Sequence, residues 1–162
     1  MRLPIILAAT VLGAAAAGAE TSSYVAERGH WSVYSGPRYC RALNRPPADF
    51  NFAPYNALQI VVGRSNHIAV EVFFWPGAVM RDRAYDLKLA FSTTDLSLPA
   101  RPTMDAMLAS APDIGLWRAL QDSRALEVGV VGEPALRLRF DLEDIGWVLD
   151  RLTACQRVLP EG

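Results

Sequence analysis

Apolar positions in this chain recur mostly with a period of two. In 30–35 Trp31 and Val33 alternate with polar neighbours, and in 38–44 Cys40 and Ala42 share one face against Tyr39, Arg41 and Leu43. Leu58, Ile60 and Val62 line one face of 57–62. In 67–75 Ile68, Val70, Val72 and Phe74 oppose Ala69, Glu71, Phe73 and Trp75. Alternation of this kind is the signature of strands buried on one side. The turn residues 63–66 join the last two runs into a hairpin, and the apolar content of both faces of 67–75 predicts a central position in a sheet. Further strands are predicted at 84–91 (Tyr85, Leu87, Leu89, Phe91 inward), 125–131 (Leu126, Val128, Val130) and 135–140 (Leu136, Leu138, Phe140). Residues 103–110 fit both a helix, through Met104, Met107 and Leu108, and a weak strand; the strand is adopted.

The period changes in two places. Ile114, Trp117 and Leu120 recur every three residues in 112–123, with Asp113 at the front, which predicts a helix. Leu142, Ile145, Leu149 and Leu152, widened by Val148, form a longer helical stripe. It predicts a helix over 142–156, with Asp141 as its cap and Cys155 at the end of the buried face. The proline-rich stretch 44–56 and the stretch 92–102 read as loops. Residues 20–29 are polar without a period and read as a flexible leader to one globular domain, 30–162. The expected fold is α+β: one β-rich domain, an antiparallel curved sheet or sandwich of about seven strands, with two helices packed on one side, the C-terminal one among them.

The first twenty residues change the picture. Arg2, an uncharged apolar run from Leu3 to Ala17, and Ala17-Gly18-Ala19 before Glu20 form the pattern of a secretory signal peptide cleaved after Ala19. The run is short for a membrane span, and no basic stop-transfer cluster comes after it. Cleavage would leave 143 of the 162 residues, a length that suits one core. The expected location is therefore periplasmic, with no membrane association after cleavage. Formal charge is −1, with 16 basic residues against 17 acidic. No basic block tracks a phosphate backbone, so nucleic acid is not an expected partner. All the basic residues but Lys88 are Arg; they are scattered, which fits composition bias better than a dedicated anion site.

Two cysteines in an exported chain read most simply as one disulfide, Cys40 to Cys155. A zinc site would need about four closely spaced Cys or His ligands, and only His30 and His67 could join the cysteines. A catalytic thiol would leave its fellow odd in an oxidising compartment. His30 and His67 are also candidate general bases, although each falls at a strand start, where a solvated histidine is ordinary. Phe73, Trp75 and Tyr55 are candidates for an aromatic binding surface, or for a second core face under the helices. Arg137 and Arg139 could hold an anion, or pair with Glu127 or Glu71 across a solvated face. No G-x-S-x-G, P-loop or H-E-x-x-H motif is present. No catalytic, cofactor-binding or metal-binding residue is expected.

The order of these features carries a resemblance. A Trp-centred strand, "HWSVYSGPRYCRA", precedes alternating strands and a final "LRFDLEDIGWVLDRLTAC" closing on a cysteine. This resembles small exported bacterial proteins of the invasion-associated locus B type, with matching positions Trp31, Val33, Cys40, Leu149, Leu152 and Cys155. The chain departs from that pattern before the last helix, where "DLEDIG" replaces a Gly-Ser-type turn. The resemblance implies a β-rich periplasmic domain with a disulfide and no established catalytic residue.

The expected function is accordingly non-enzymatic: a periplasmic binding or envelope-interaction protein whose partner is an unknown envelope protein or small ligand. The alternative is an inhibitor of a periplasmic hydrolase, presenting 44–56 or 92–102 to it. A hydrolase using His30 or His67 is the third reading.

Overall fold

The computed structural model describes residues 23–45, 56–64, 67–103, 106–111 and 114–160. The expected signal peptide, the loop 46–55 within the stretch 44–56, Tyr55 and Asp113 lie outside the described residues.

Among the described residues, ten strands make one antiparallel sheet. In chain order they are β1 (Ser23–Arg28), β2 (Trp31–Ser35), β3 (Tyr39–Asn44), β4 (Ala57–Gly63), β5 (Ile68–Phe73), β6 (Tyr85–Phe91), β7 (Asp95–Pro102), β8 (Ala106–Ala111), β9 (Ala125–Val130) and β10 (Glu133–Asp141). Two helices join them, α1 (Ile114–Gln121) between β8 and β9, and α2 (Ile145–Arg157) at the end. The spatial order β1-β2-β3-β4-β5-β8-β7-β6-β9-β10 puts β5 in the middle, as its apolar content predicted.

Register explains the core. Cys40 faces Val62, Ala42 faces Ile60, Ile60 faces Val70, and Val70 faces Ala109. Beyond β8 and β7 the same face continues through Leu87, Leu89, Val128 and Leu126 to Phe140. Alternate side chains of a strand share a face, so this row becomes one apolar surface. The helices cover it: α2 packs on β2, β3 and β4, while α1 packs on β8 and α2. Leu116, Leu120, Val148 and Leu152 close a single buried cluster.

The sheet has more strands than the expected seven. β1 occupies most of the stretch expected as a leader. It is an edge strand with nearly every side chain exposed, so it carries no hydrophobic period to read. It hangs on β2 through a turn at Gly29, whose φ of +56° suits glycine. β7 occupies the stretch expected as a loop. Pro99 and Pro102 cannot donate to a ladder, yet β8 pairs with only its last three residues, Ala100 to Pro102. Pro99 lies in the earlier part, which keeps one open edge, where proline is tolerated, and Pro102 is the last residue of the strand.

The helices differ in detail from their expected stripes. Of the expected stripe in α1, Leu120 is buried and Trp117 packs against the core, whereas Ile114 is 59% exposed and Leu116 and Ala119 complete the buried face. Helix α2 begins three residues later than expected, at Ile145. Asp144, in a left-handed conformation (φ 62°), is its N-cap and makes no side-chain capping bond. Asp141 serves the preceding turn instead: its Oδ1 accepts the Glu143 N–H at 2.8 Å.

Candidate functional site

The disulfide is the first fixed point. Cys40 and Cys155 are bonded, with Cα atoms 6.1 Å apart and a sequence separation of 115. Both are buried, so the bond belongs to the core. Cys40 lies beside Val62 on the inner face of β3, and Cys155 lies in the last turn of α2. At the other end of the helix, Trp31 Nε1 donates to the Glu143 carbonyl at 2.9 Å, and Asn44 Nδ2 donates to the Asp141 carbonyl at 2.7 Å. Gln156 Nε2 donates to the Gly63 carbonyl at 2.6 Å, next to the disulfide. Helix α2 is thus tied at both ends to the first strands.

The two histidines do not form a site. His30 precedes β2 at the end of the sheet where Trp31 meets Asn44. His67 precedes β5 at the opposite end, where Ile68 meets Val62. Strand rise and spacing put them roughly 20 Å apart. Among the described residues, no group of three or more His, Cys, Asp or Glu is placed to hold a metal ion. No helix among them is long and apolar enough to cross a membrane.

The surface chemistry gathers on the sheet face turned away from the helices. Row by row, Leu43, Gln59, Glu71, Leu108 and Arg101 are register neighbours across five strands. The next row holds Tyr34, Arg41, Val61, Ala69 and Ser110. Gln59 Nε2 donates to Glu71 Oε2 at 2.9 Å, and Thr103 Oγ1 donates to Glu71 Oε1 at 3.2 Å. The Arg41 guanidinium lies 6.0 Å from the Tyr34 ring centroid and 5.6 Å from that of Tyr39, within cation–π range. Burial raises the Glu71 carboxyl above the usual carboxylate range; the Thr103 hydroxyl and the Arg41 charge pull it part of the way back. A half-buried carboxylate on a central strand costs stability unless its partners compensate, so this cluster is the least expected feature of the sheet.

Other candidates fall differently. Phe73 is half-buried, but on the face opposite the helices, between Ala57 and Ala106; it is not part of a core face beneath them. Trp75, 41% exposed, sits edge-on to the buried Phe74. Arg137 lies 3.9 Å from Glu127, a loose exposed pair, and Arg139 is opposite Glu127 in register. Glu71 is not their partner, because β5 and β10 are far apart in the sheet. Near the start of α2 an open groove of about 590 Å³ is lined by Ser123, Arg124, Asp141, Glu143, Asp144 and Gly146 among others.

Sequence reasoning placed Glu71, Tyr39 and Arg41 outward but left Gln59, Thr103 and Tyr34 unremarked. A signal existed, though the turn at 63–66 alone would set 59 opposite 70: matching the inward faces of the two runs, Val62 with Ile68, puts Gln59 opposite Glu71. Thr103 depended on β7 and had no such signal. No protein-family model, curated protein or solved structure matches the chain.

Proposed function

We propose that the protein is an exported, periplasmic binding or envelope-interaction protein without catalytic activity of its own, and that it meets its partner through the outer face of β2–β5. The observation that carries this reading is the Gln59–Glu71–Thr103 cluster beside Arg41, Tyr34 and Tyr39. Tyrosine and arginine are the side chains that concentrate binding energy at protein surfaces. The disulfide supports an oxidising compartment, where such bonds persist. The resemblance to proteins of the invasion-associated locus B type belongs to the same proposal.

The inhibitor reading has less support. One of the two loops it would use, 92–102, is largely strand β7, with only its first residues outside the sheet. The histidine hydrolase reading is confined to one of the two histidines at a time, since His30 and His67 stand at opposite ends of the sheet.

The test is in-cell cross-linking from the outer face. A photo-cross-linking residue at exposed Ser110 should trap a partner in the periplasmic fraction, and one at exposed Arg118 on α1 should not. Retention of the protein in the cytoplasm with two free thiols would defeat the reading. Equal trapping from both positions would remove the outer face from it.

A further inference from the structure

The polar cluster on the outer face has a chemistry that narrows its ligand, and any ligand assigned to it rests on the binding role proposed for that face. Each polar member is oriented by another. Glu71 receives one hydrogen bond on each carboxylate oxygen, from Gln59 and from Thr103. Thr103 Oγ1 also lies 3.3 Å from the Ala106 carbonyl, so its single hydroxyl proton is shared between that carbonyl and Glu71 and its lone pairs are left to accept. A carboxylate has about four acceptor sites and a primary amide two donors and an acceptor. After the internal bonds, Glu71 keeps acceptor capacity, Gln59 keeps an N–H and its carbonyl, and Thr103 can accept. Donors and acceptors therefore alternate over a few ångströms, held in place before any ligand arrives.

Charge on this face is small and mixed: Glu71 against Arg41 in the adjoining row and exposed Arg101 at the end of its own. That is a poor match for a polyanion. The hollow at one end of this face, lined by Pro99, Arg101, Leu108 and Ser110, is open to solvent, which disfavours a buried hydrophobic ligand. The row from Leu43 to Arg101 spans five strands, roughly 19 Å at normal strand spacing. Aromatic and aliphatic side chains flank the polar line: Tyr34, Tyr39, Val61, Phe73 and Leu108 are all half-buried.

We infer that the outer face of β3–β5 binds an oligosaccharide, with Gln59, Glu71 and Thr103 hydrogen-bonding its hydroxyls and the flanking rings receiving the C–H faces of the sugar. A hydroxyl is at once donor and acceptor, so vicinal diols satisfy an amide–carboxylate pair on both sides. The length of the row suits several linked sugar rings.

The test uses the disulfide-bonded domain, isotope-labelled for amide NMR, titrated with maltohexaose, cellohexaose and chitohexaose. Binding by at least one should shift amides of β3, β4, β5 and β8 together. Gln59→Ala and Glu71→Gln should each weaken that binding about tenfold, the equivalent of 1.4 kcal/mol, with unfolding midpoints showing that both variants are folded. Arg137→Ala, on a distant strand, should bind like the parent. Absence of shifts with all three sugars at millimolar concentration overturns the inference, as do shifts confined to the groove at α2 or affinities indifferent to Gln59 and Glu71. If Glu71→Gln abolishes the periplasmic cross-link while no sugar binds, the saccharide falls and the binding face stands. If neither is seen, both fall.

Discussion

Trp31 and Glu143 are 112 residues apart in sequence, and the indole of one donates to the backbone carbonyl of the other at 2.9 Å. That bond seats the N-terminal end of α2 on β2. The Cys40–Cys155 bond seats its C-terminal end on β3. The helix is held as a bar across the first strands by one fixing at each end, and the two fixings are different in kind.

The disulfide should act mainly on the unfolded chain. Closing a ~100-residue loop is worth about 4–5 kcal/mol in chain entropy, before any native strain. Cys40→Ala and Cys155→Ala should therefore destabilise the domain equally, and the double variant should be no worse than either. Urea unfolding of all three under non-reducing conditions checks this. A double variant clearly weaker than the singles would mean that the thiols contribute packing beyond loop closure.

Trp31 should be sensitive to its nitrogen as well as its bulk. Trp31→Phe keeps much of the buried ring but leaves the Glu143 carbonyl without its donor, at a cost of about 1–3 kcal/mol. Trp31→Ala adds the cavity and should reach about 3–5 kcal/mol. If Trp31→Phe matches the parent in thermal unfolding, water has replaced the indole and the fixing at this end is Asn44 alone.

Glu71 makes stability depend on pH in a defined direction. Its folded pKa is raised, so in the window just above the usual carboxylate range the folded protein binds more protons than the unfolded chain. Stability from this group is present at acid pH and is lost as pH rises through the folded pKa. Glu71→Gln cannot ionise, so its unfolding midpoint should gain on the parent as pH rises from about 4 to about 7. A difference that is flat across that range, or that runs the other way, would show that Thr103 and Arg41 outweigh burial.

Gly29 should resist substitution. Its φ is +56°, and an added Cβ would lie 3.2 Å from Asp144 Oδ2, on the carboxylate that Arg28 Nε holds at 2.9 Å. Gly29→Ala should cost about 1 kcal/mol or more from backbone strain alone. It should also loosen β1, seen as faster amide exchange at Ala26 and Glu27 with the core unchanged.

The legible parts of the fold are those where one strong pattern acts alone. Strands β2 to β6, β9 and β10 are readable from alternation, because each buries one face. The stripe of α2 from Ile145 to Leu152 is readable from helical spacing, and the disulfide from two cysteines in a chain that begins like an exported one. Strand β1 left no trace because an edge strand with both faces in water needs no alternation. Strand β7 was hidden by Pro99 and Pro102, whose local preference was overruled by pairing, Pro99 with β6 and Pro102 with β8. In the candidate site, Glu71 was visible as an outward residue. Its dependence on Thr103 was invisible, because that contact joins segments whose adjacency exists only after β8 and β7 have stacked beyond β5.

The position of α2 also has a consequence for how the chain is made. The strands it covers, β2 and β3 among them, are synthesised long before the helix. Until residues 145–157 arrive, Trp31, Ala42 and Cys40 have no roof, and the disulfide has no second sulfur. The contacts that complete this half of the core are among the longest in the sequence, which favours slow, late closure over folding as the chain emerges.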